Sequence, residues 1–259
     1  MSDKNREGKR TARERLAVER EREKGREKRR RTLIVSSAVV GVLGLASVIG
    51  VIAANSGGSK GETSGPVVVP KGATGQDGLV IPVGESNAKS TLTIWEDFRC
   101  PVCKIFEDTY RSTIHELTDS GKLKVDYRFA TLIDGNMGGS GSLHAANAAA
   151  CAQEVGKFPA YHDVLFANQP AETDDAFASN AKLIDLAGEV DGLATDSFRT
   201  CVNDGTHNSW VAKSNKAFQD GDLRGTPTVL LNGKDVYGDQ ANPLTPAKLK
   251  QLVENADQG

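Results

Sequence analysis

From Thr32 to Ala54 the chain runs 23 positions without a charged side chain, and no later stretch is as long and as apolar. As a helix rising about 1.5 Å per residue it would reach about 34 Å, enough to cross a hydrocarbon core of about 30 Å. The pattern predicts a single transmembrane helix over 32–54. A buried core helix seldom carries so long an apolar run and usually shows a polar face. A cleaved signal peptide, with its cut at Ala53-Ala54, would normally have an apolar region of only about 7–15 residues. Further on, the periods shorten. Thr91-Leu92-Thr93-Ile94-Trp95 is β-branched and aromatic and predicts a strand, while Val102, Ile105, Phe106, Tyr110, Ile114 and Leu117 recur at helical spacing. Gly225-Thr226-Pro227-Thr228-Val229-Leu230-Leu231 reads as a loop leading into a strand, and Asn232-Gly233 as a tight hairpin into Val236-Tyr237. Thr245-Pro246 caps a C-terminal helix carrying Leu249, Leu252 and Val253.

Charge changes this picture, because the formal total of −2 over 259 residues is a cancellation. Residues 1–31 hold 14 Lys or Arg against 7 Asp or Glu, and residues 55–259 hold 18 basic against 27 acidic side chains. The triplet Arg29-Arg30-Arg31 abuts one end of the apolar run and Asn55-Ser56-Gly57-Gly58 the other, so the positive-inside bias places the N-terminus in the cytoplasm. Residues 1–31 are then a basic cytoplasmic tail against anionic lipid rather than a nucleic-acid binder, since acids interrupt its basic residues. Residues 55–77, with Gly57, Gly58, Gly61, Gly65, Pro66 and Pro70, read as a flexible linker. Everything beyond the span is extracytoplasmic. With 27 Gly, 9 Pro and 4 Cys, the chain is neither collagenous nor a disulfide-dense mini-protein.

All four cysteines lie beyond the span, in a compartment that tolerates disulfides. Cys100-Pro101-Val102-Cys103 is a C-x-x-C, too close-set for its disulfide to restrain much chain. It sits where the strand ends and the helix begins, with Cys100 at the N-cap and Pro101 at the first helical position. Unpaired N–H groups and the positive end of the helix dipole there favour a thiolate, making Cys100 the nucleophile and Cys103 the less exposed resolving thiol. The other pair, Cys151 and Cys201, would close a loop of about 50 residues, worth about 4 kcal/mol in the chain-entropy picture, and reads as structural. Zinc would need two further ligands at matching spacing, and the histidines His115, His144, His162 and His207 are scattered singly. They read as surface or capping residues, and no metal or cofactor is expected.

These residues resemble the DsbA-like thiol-disulfide oxidoreductases of the thioredoxin superfamily, in their membrane-anchored bacterial form. Three blocks carry the resemblance across residues 78–255. The first is Glu96-Asp97-Phe98-Arg99-Cys100-Pro101-Val102-Cys103 after a strand. The second is the Ala-rich stretch from His144 through Cys151 to Gly156-Lys157-Phe158, followed by His162-Asp163-Val164-Leu165-Phe166. The third is Gly225-Thr226-Pro227-Thr228. The resemblance implies an α/β thioredoxin fold over 78–257, interrupted between its third and fourth strands by a helical insertion at about 140–218. It also implies a cis Thr226-Pro227 bond beside the active disulfide, where the Thr226 backbone can pair with an extended substrate strand. The Cys151–Cys201 pair matches a second disulfide in some anchored relatives. Where some relatives place a buried acid six residues before the first cysteine, this chain has Ile94, and Glu96 and Asp97 are both open as substitutes. The dipeptide Pro101-Val102 also lacks the His of the best-known oxidant. The resemblance implies oxidation of reduced secreted or cell-surface proteins and reoxidation by a quinone-linked membrane partner. A reductase or isomerase, or a non-catalytic peptide-binding module, is the alternative.

Overall fold

The structure, a computed structural model, describes Thr63 and residues 65–258 apart from Asp222 and Gln240. The expected tail over 1–31, the span over 32–54 and the first part of the linker lie outside the described residues. Among the described residues no helix is long and apolar enough to cross a membrane.

Five strands form one sheet in the order β1-β3-β2-β4-β5: β1 (Ile81–Val83), β2 (Ser90–Glu96), β3 (Leu123–Phe129), β4 (Thr228–Leu231) and β5 (Lys234–Asp235). Strands β2 and β3 are parallel, with Ser90 opposite Leu123 and Glu96 opposite Phe129, and the remaining pairs are antiparallel. A parallel pair needs a crossover, here the helix α1 (Pro101–Asp119). The stripe Cys103, Phe106, Tyr110, Ile114 and Leu117 turns α1 onto the core, and α8 (Pro246–Gln258) covers its flank with Leu249 and Val253 buried. The Thr245 hydroxyl caps α8 by accepting the Lys248 N–H at 3.2 Å.

Between β3 and β4 the chain makes six α-helices: α2 (Leu132–Met137), α3 (Gly141–Glu154), α4 (Phe158–Ala167), α5 (Asn180–Leu186), α6 (Asp196–Asn203) and α7 (Asn208–Asp220). The insertion therefore falls between the expected strands, although its first helix begins before residue 140. Helix α3 is its centre. Ala145, Ala146, Ala148, Ala149, Ala150 and Ala152 are all fully buried, so α3 has no polar face; its small side chains let α4, α6 and α7 approach from different sides. The large side chains that pack around it, Phe158, Tyr161, Phe166, Phe177, Phe198 and Trp210, come from the neighbouring elements. Cys151 on α3 is bonded to Cys201 on α6, with Cα atoms 5.9 Å apart.

Two expectations change. The hairpin turn is as read, with Asn232 and Gly233 both at positive φ, but β5 ends at Asp235 rather than running through Val236-Tyr237. The Asp235 carboxylate accepts the N–H groups of Tyr237 and Gly238, closing a turn, and the freed Tyr237 ring stands edge-on to Phe106 and Tyr110. The second change concerns the linker, whose described part, 65–77, is docked rather than free. The Val68 carbonyl accepts from His207 Nδ1 at 2.8 Å, Gln153 Nε2 donates to the Lys71 carbonyl, and the Lys71 N–H donates to Glu154. Lys213 and Trp210 donate to the carbonyls of Asp77 and Gly78. Gly72, Gly75 and Gly78 take φ of 77°, 85° and 69°. They serve tight turns here, which composition alone reads as slack.

Candidate active site

Strand β2 ends at Glu96, and a short loop turns the chain into α1. Asp97 builds that loop: one carboxylate oxygen accepts the Arg99 N–H at 2.8 Å and the other accepts the Ile133 N–H at 2.9 Å. The insertion grips it from outside. Arg99 is buried and donates to Asp134 at 2.6 Å and to the carbonyls of Gly138 and Glu172. Gln169 Nε2 donates to the carbonyls of both Phe98 and Cys100, and Lys104 donates to the Phe166 carbonyl. A loop fixed this way presents its cysteine with little freedom.

Cys100 occupies the N-cap of α1 with extended backbone angles, and Pro101 takes the first helical position, where a missing N–H breaks no bond. Its thiol stands 3.3 Å from the Thr226 carbonyl oxygen, a contact between residues 126 positions apart, and the Thr226-Pro227 bond is cis. The structure thus brings together Cys100, Cys103, Thr226 and Pro227. Hydrogen bonding from the Cys103 thiol, aided by Thr226 and the N–H groups of Cys103 and Val102, overcomes burial and lowers the Cys100 thiol to about 6. Burial, with Cys100 and Glu96 close by, pushes Cys103 well above the ordinary thiol range. One sulfur is therefore a thiolate at neutral pH and its neighbour a thiol.

The two acids that strand alternation leaves open part company. Asp97 spends both carboxylate oxygens on backbone N–H groups, and burial pushes it up to about 7. The Glu96 charge is the one felt at Cys103. Glu96 is fully buried, and its Oε1 lies 2.6 Å from Nε2 of His162 on α4. Glu107 of α1 joins them, 1% exposed, and burial holds its carboxyl up at about 8. Oε2 of Glu96 and Oε1 of Glu107 are buried with no hydrogen-bond partner.

This cluster corrects the reading of the histidines. His162 is buried within α4 and faces Glu96, neither at the surface nor at a cap, whereas His207 does stand at the N-cap of α7 but is buried there, taking the Val68 carbonyl and, through its own N–H, the Asn147 side chain. A lone His between Tyr161 and Asp163 gives no local sign of a partner 66 positions away. Glu107 did leave a signal, since it lies four residues after Cys103 on the apolar stripe of α1, a charge where the pattern wants a hydrocarbon. Neither His-containing cluster is laid out for a metal. In one, the sulfurs of Cys151 and Cys201 are bonded to each other beside His207. In the other, the 2.6 Å between Glu96 and His162 is a proton's distance, whereas two tetrahedral zinc ligands stand about 3.3 Å apart.

A family model described as Thioredoxin matches residues 76–255. Disulfide bond formation protein D of Bacillus subtilis is 27% identical over 158 residues, covering 59% of this chain and 67% of that protein. Among solved structures, the reduced form of the disulfide bond oxidoreductase DsbG from Mycobacterium tuberculosis superposes with a TM-score of 0.60 at 29% identity, over 70% of this chain and 88% of that one. Reduced DsbA from the same organism gives 0.59 at 27% identity, over 70% and 93%.

Proposed function

Because the chain belongs to the thioredoxin family and is a DsbA-like protein-disulfide oxidoreductase, we propose that it works as an oxidase, passing its Cys100–Cys103 disulfide to reduced secreted or cell-surface proteins. The observation that carries this is the asymmetry of the two sulfurs. A substrate thiolate attacks Cys100 Sγ, the Cys100–Cys103 bond breaks, and Cys103 leaves and takes up a proton. A second substrate thiolate then attacks the first substrate sulfur and expels Cys100 as a thiolate. The substrate has lost two electrons and the enzyme pair has gained them. The low Cys100 value supports the direction, because stabilising the reduced form makes the disulfide the stronger oxidant.

Docking follows from what surrounds Cys100. The Thr226 backbone offers an extended substrate a strand-like partner beside the sulfur, and the exposed Val102 and Ile105 supply an apolar rim on α1. Glu96 serves as proton partner of Cys103. In this reading the uncharged run over 32–54 anchors the enzyme to lipid as a single-pass segment in the cell membrane with the N-terminus cytoplasmic, and a quinone-linked membrane protein reoxidises it. The charge asymmetry across that run supports the orientation.

The reduction potential tests the direction. Equilibration of the full chain with glutathione buffers is expected to give a value nearer the about −120 mV of a strong DsbA oxidant than the about −270 mV of thioredoxin. A value at the thioredoxin end would overturn the oxidase reading in favour of a reductase.

A further inference from the structure

The proposed chemistry leaves Glu96 with a transport problem. Each time the Cys100–Cys103 disulfide re-forms, Cys103 gives up a proton; each time it opens, Cys103 takes one back. Glu96 is fully buried and has no contact with water through which to exchange it. One of its oxygens has no partner, and the other is bonded to His162. His162 is itself 2% exposed, yet its second nitrogen, Nδ1, stands 3.6 Å from Asp163 Oδ1. That is just beyond hydrogen-bond length, a gap that ordinary side-chain motion of about 0.5 Å spans. Asp163 is 24% exposed and is itself paired with Arg111 at 3.2 Å and with the half-exposed His115 at 3.3 Å.

We propose that His162 is the proton carrier of this active site, linking buried Glu96 to solvent through Asp163. The proposal rests on the reading of Cys103 as the resolving thiol and adds to it the route by which that thiol is deprotonated. In the re-forming step, a mixed disulfide on Cys100 is attacked by Cys103 sulfur. The new Cys100–Cys103 bond forms, the bond to the partner's sulfur breaks, and that sulfur leaves with the electron pair. The Cys103 proton passes to Glu96, and a proton leaves the other side of His162 to Asp163 and water, so the buried cluster ends with the charge it began with. An imidazole suits the post because its two nitrogens can be loaded and unloaded on opposite sides. The groups facing it are Glu96 from β2, Glu107 from α1, Tyr127 from β3, and Asp163 beside it on α4, itself paired with Arg111 of α1. Burial works against the imidazolium, but Glu96 and Asp163 outweigh it, so His162 is protonated at neutral pH.

The test mixes the reduced full chain with glutathione disulfide and follows two phases. The first, dependent on glutathione disulfide concentration, is formation of the mixed disulfide at Cys100; the second, unimolecular, is its displacement by Cys103. In His162→Gln the first phase should be unchanged, while the second falls about a hundredfold at neutral pH and climbs with pH as hydroxide takes over the proton. Asp163→Asn, a partly exposed change outside the buried cluster, should slow the same phase in the same pH-dependent way, and the wild-type phase should show a solvent deuterium effect that His162→Gln alters. A second phase with wild-type rate and pH profile in both variants would overturn the proposal. So would a slower His162→Gln phase whose pH profile and isotope effect stay as in wild type, since that is the mark of a merely structural role. If Asp163→Asn alone folds, its pH profile decides. Failure of the wild-type protein to form the Cys100 mixed disulfide would overturn the reading of Cys100, and this inference with it.

Discussion

Replacing Cys100 by Ser is expected to reduce oxidation of a dithiol peptide to the uncatalysed background. No other sulfur can stand in. Cys103 has no exposed surface and burial holds it as a thiol, while Cys151 and Cys201 are bonded to each other. Cys103→Ser should behave differently, leaving Cys100 free to attack and stranding it in mixed disulfides visible on a non-reducing gel. Alkylation of Cys100 in the reduced protein should follow its ionisation, with a midpoint near pH 6 and a tenfold fall per unit below it. Because the folded value lies below that of an unfolded thiol, the stability that ionisation lends the reduced protein is complete above about pH 9 and lost as pH falls through about 6. A Cys100→Ser protein that still oxidised the peptide would place the chemistry elsewhere.

The second large effect concerns the other pair. Removing the Cys151–Cys201 bond by the double change to Ala should lower stability by about 4 kcal/mol, because the bond spans 50 residues and its loss returns that loop's freedom to the unfolded chain. The mechanism reaches beyond entropy, since Cys151 sits in the fully buried face of α3 and the smaller side chain leaves space there. Urea denaturation should show the midpoint fall and the slope rise, because the unfolded chain without the cross-link exposes more surface. An unchanged midpoint would mean that packing around α3 holds α6 in place without the bond. Alkylation of Cys100 at low urea should be normal in the double variant, since the loop carrying Cys100 is held by Asp97, Arg99 and Gln169.

How far the sequence could be read depended on whether a signal was local. The strand, turn and helix around Cys100 were legible because β-branched alternation, an N-cap, a proline and a 3.6-residue stripe all fall within one short window. The strand after Pro227 and the cap at Thr245 were legible for the same reason. The insertion was recognisable through resemblance, while its centre was opaque to periodicity: a helix buried all round, as α3 is, has no face to betray it. Long-range polar pairing was invisible. Arg99 with Asp134 and Glu96 with His162 each join residues tens of positions apart, and nothing in either neighbourhood marks the partner. The misread linker shows the converse error, since its glycines signalled turns that are occupied rather than freedom.

That docked segment also decides where a pull on the chain would be felt. Tension applied at Thr63 meets first the hydrogen bond from Ser209, then those at Val68 and Lys71, all made with α3, α7 or the residue just before α7. It reaches the sheet at Asp77, whose carboxylate accepts from Arg128 on β3, and then at the edge strand β1, with β3 between both and β2. The strand that ends at Glu96 and delivers Cys100 is thus mechanically insulated from the N-terminal side of the domain: drag on that end would peel the segment from the helical insertion before it shifted the sulfur.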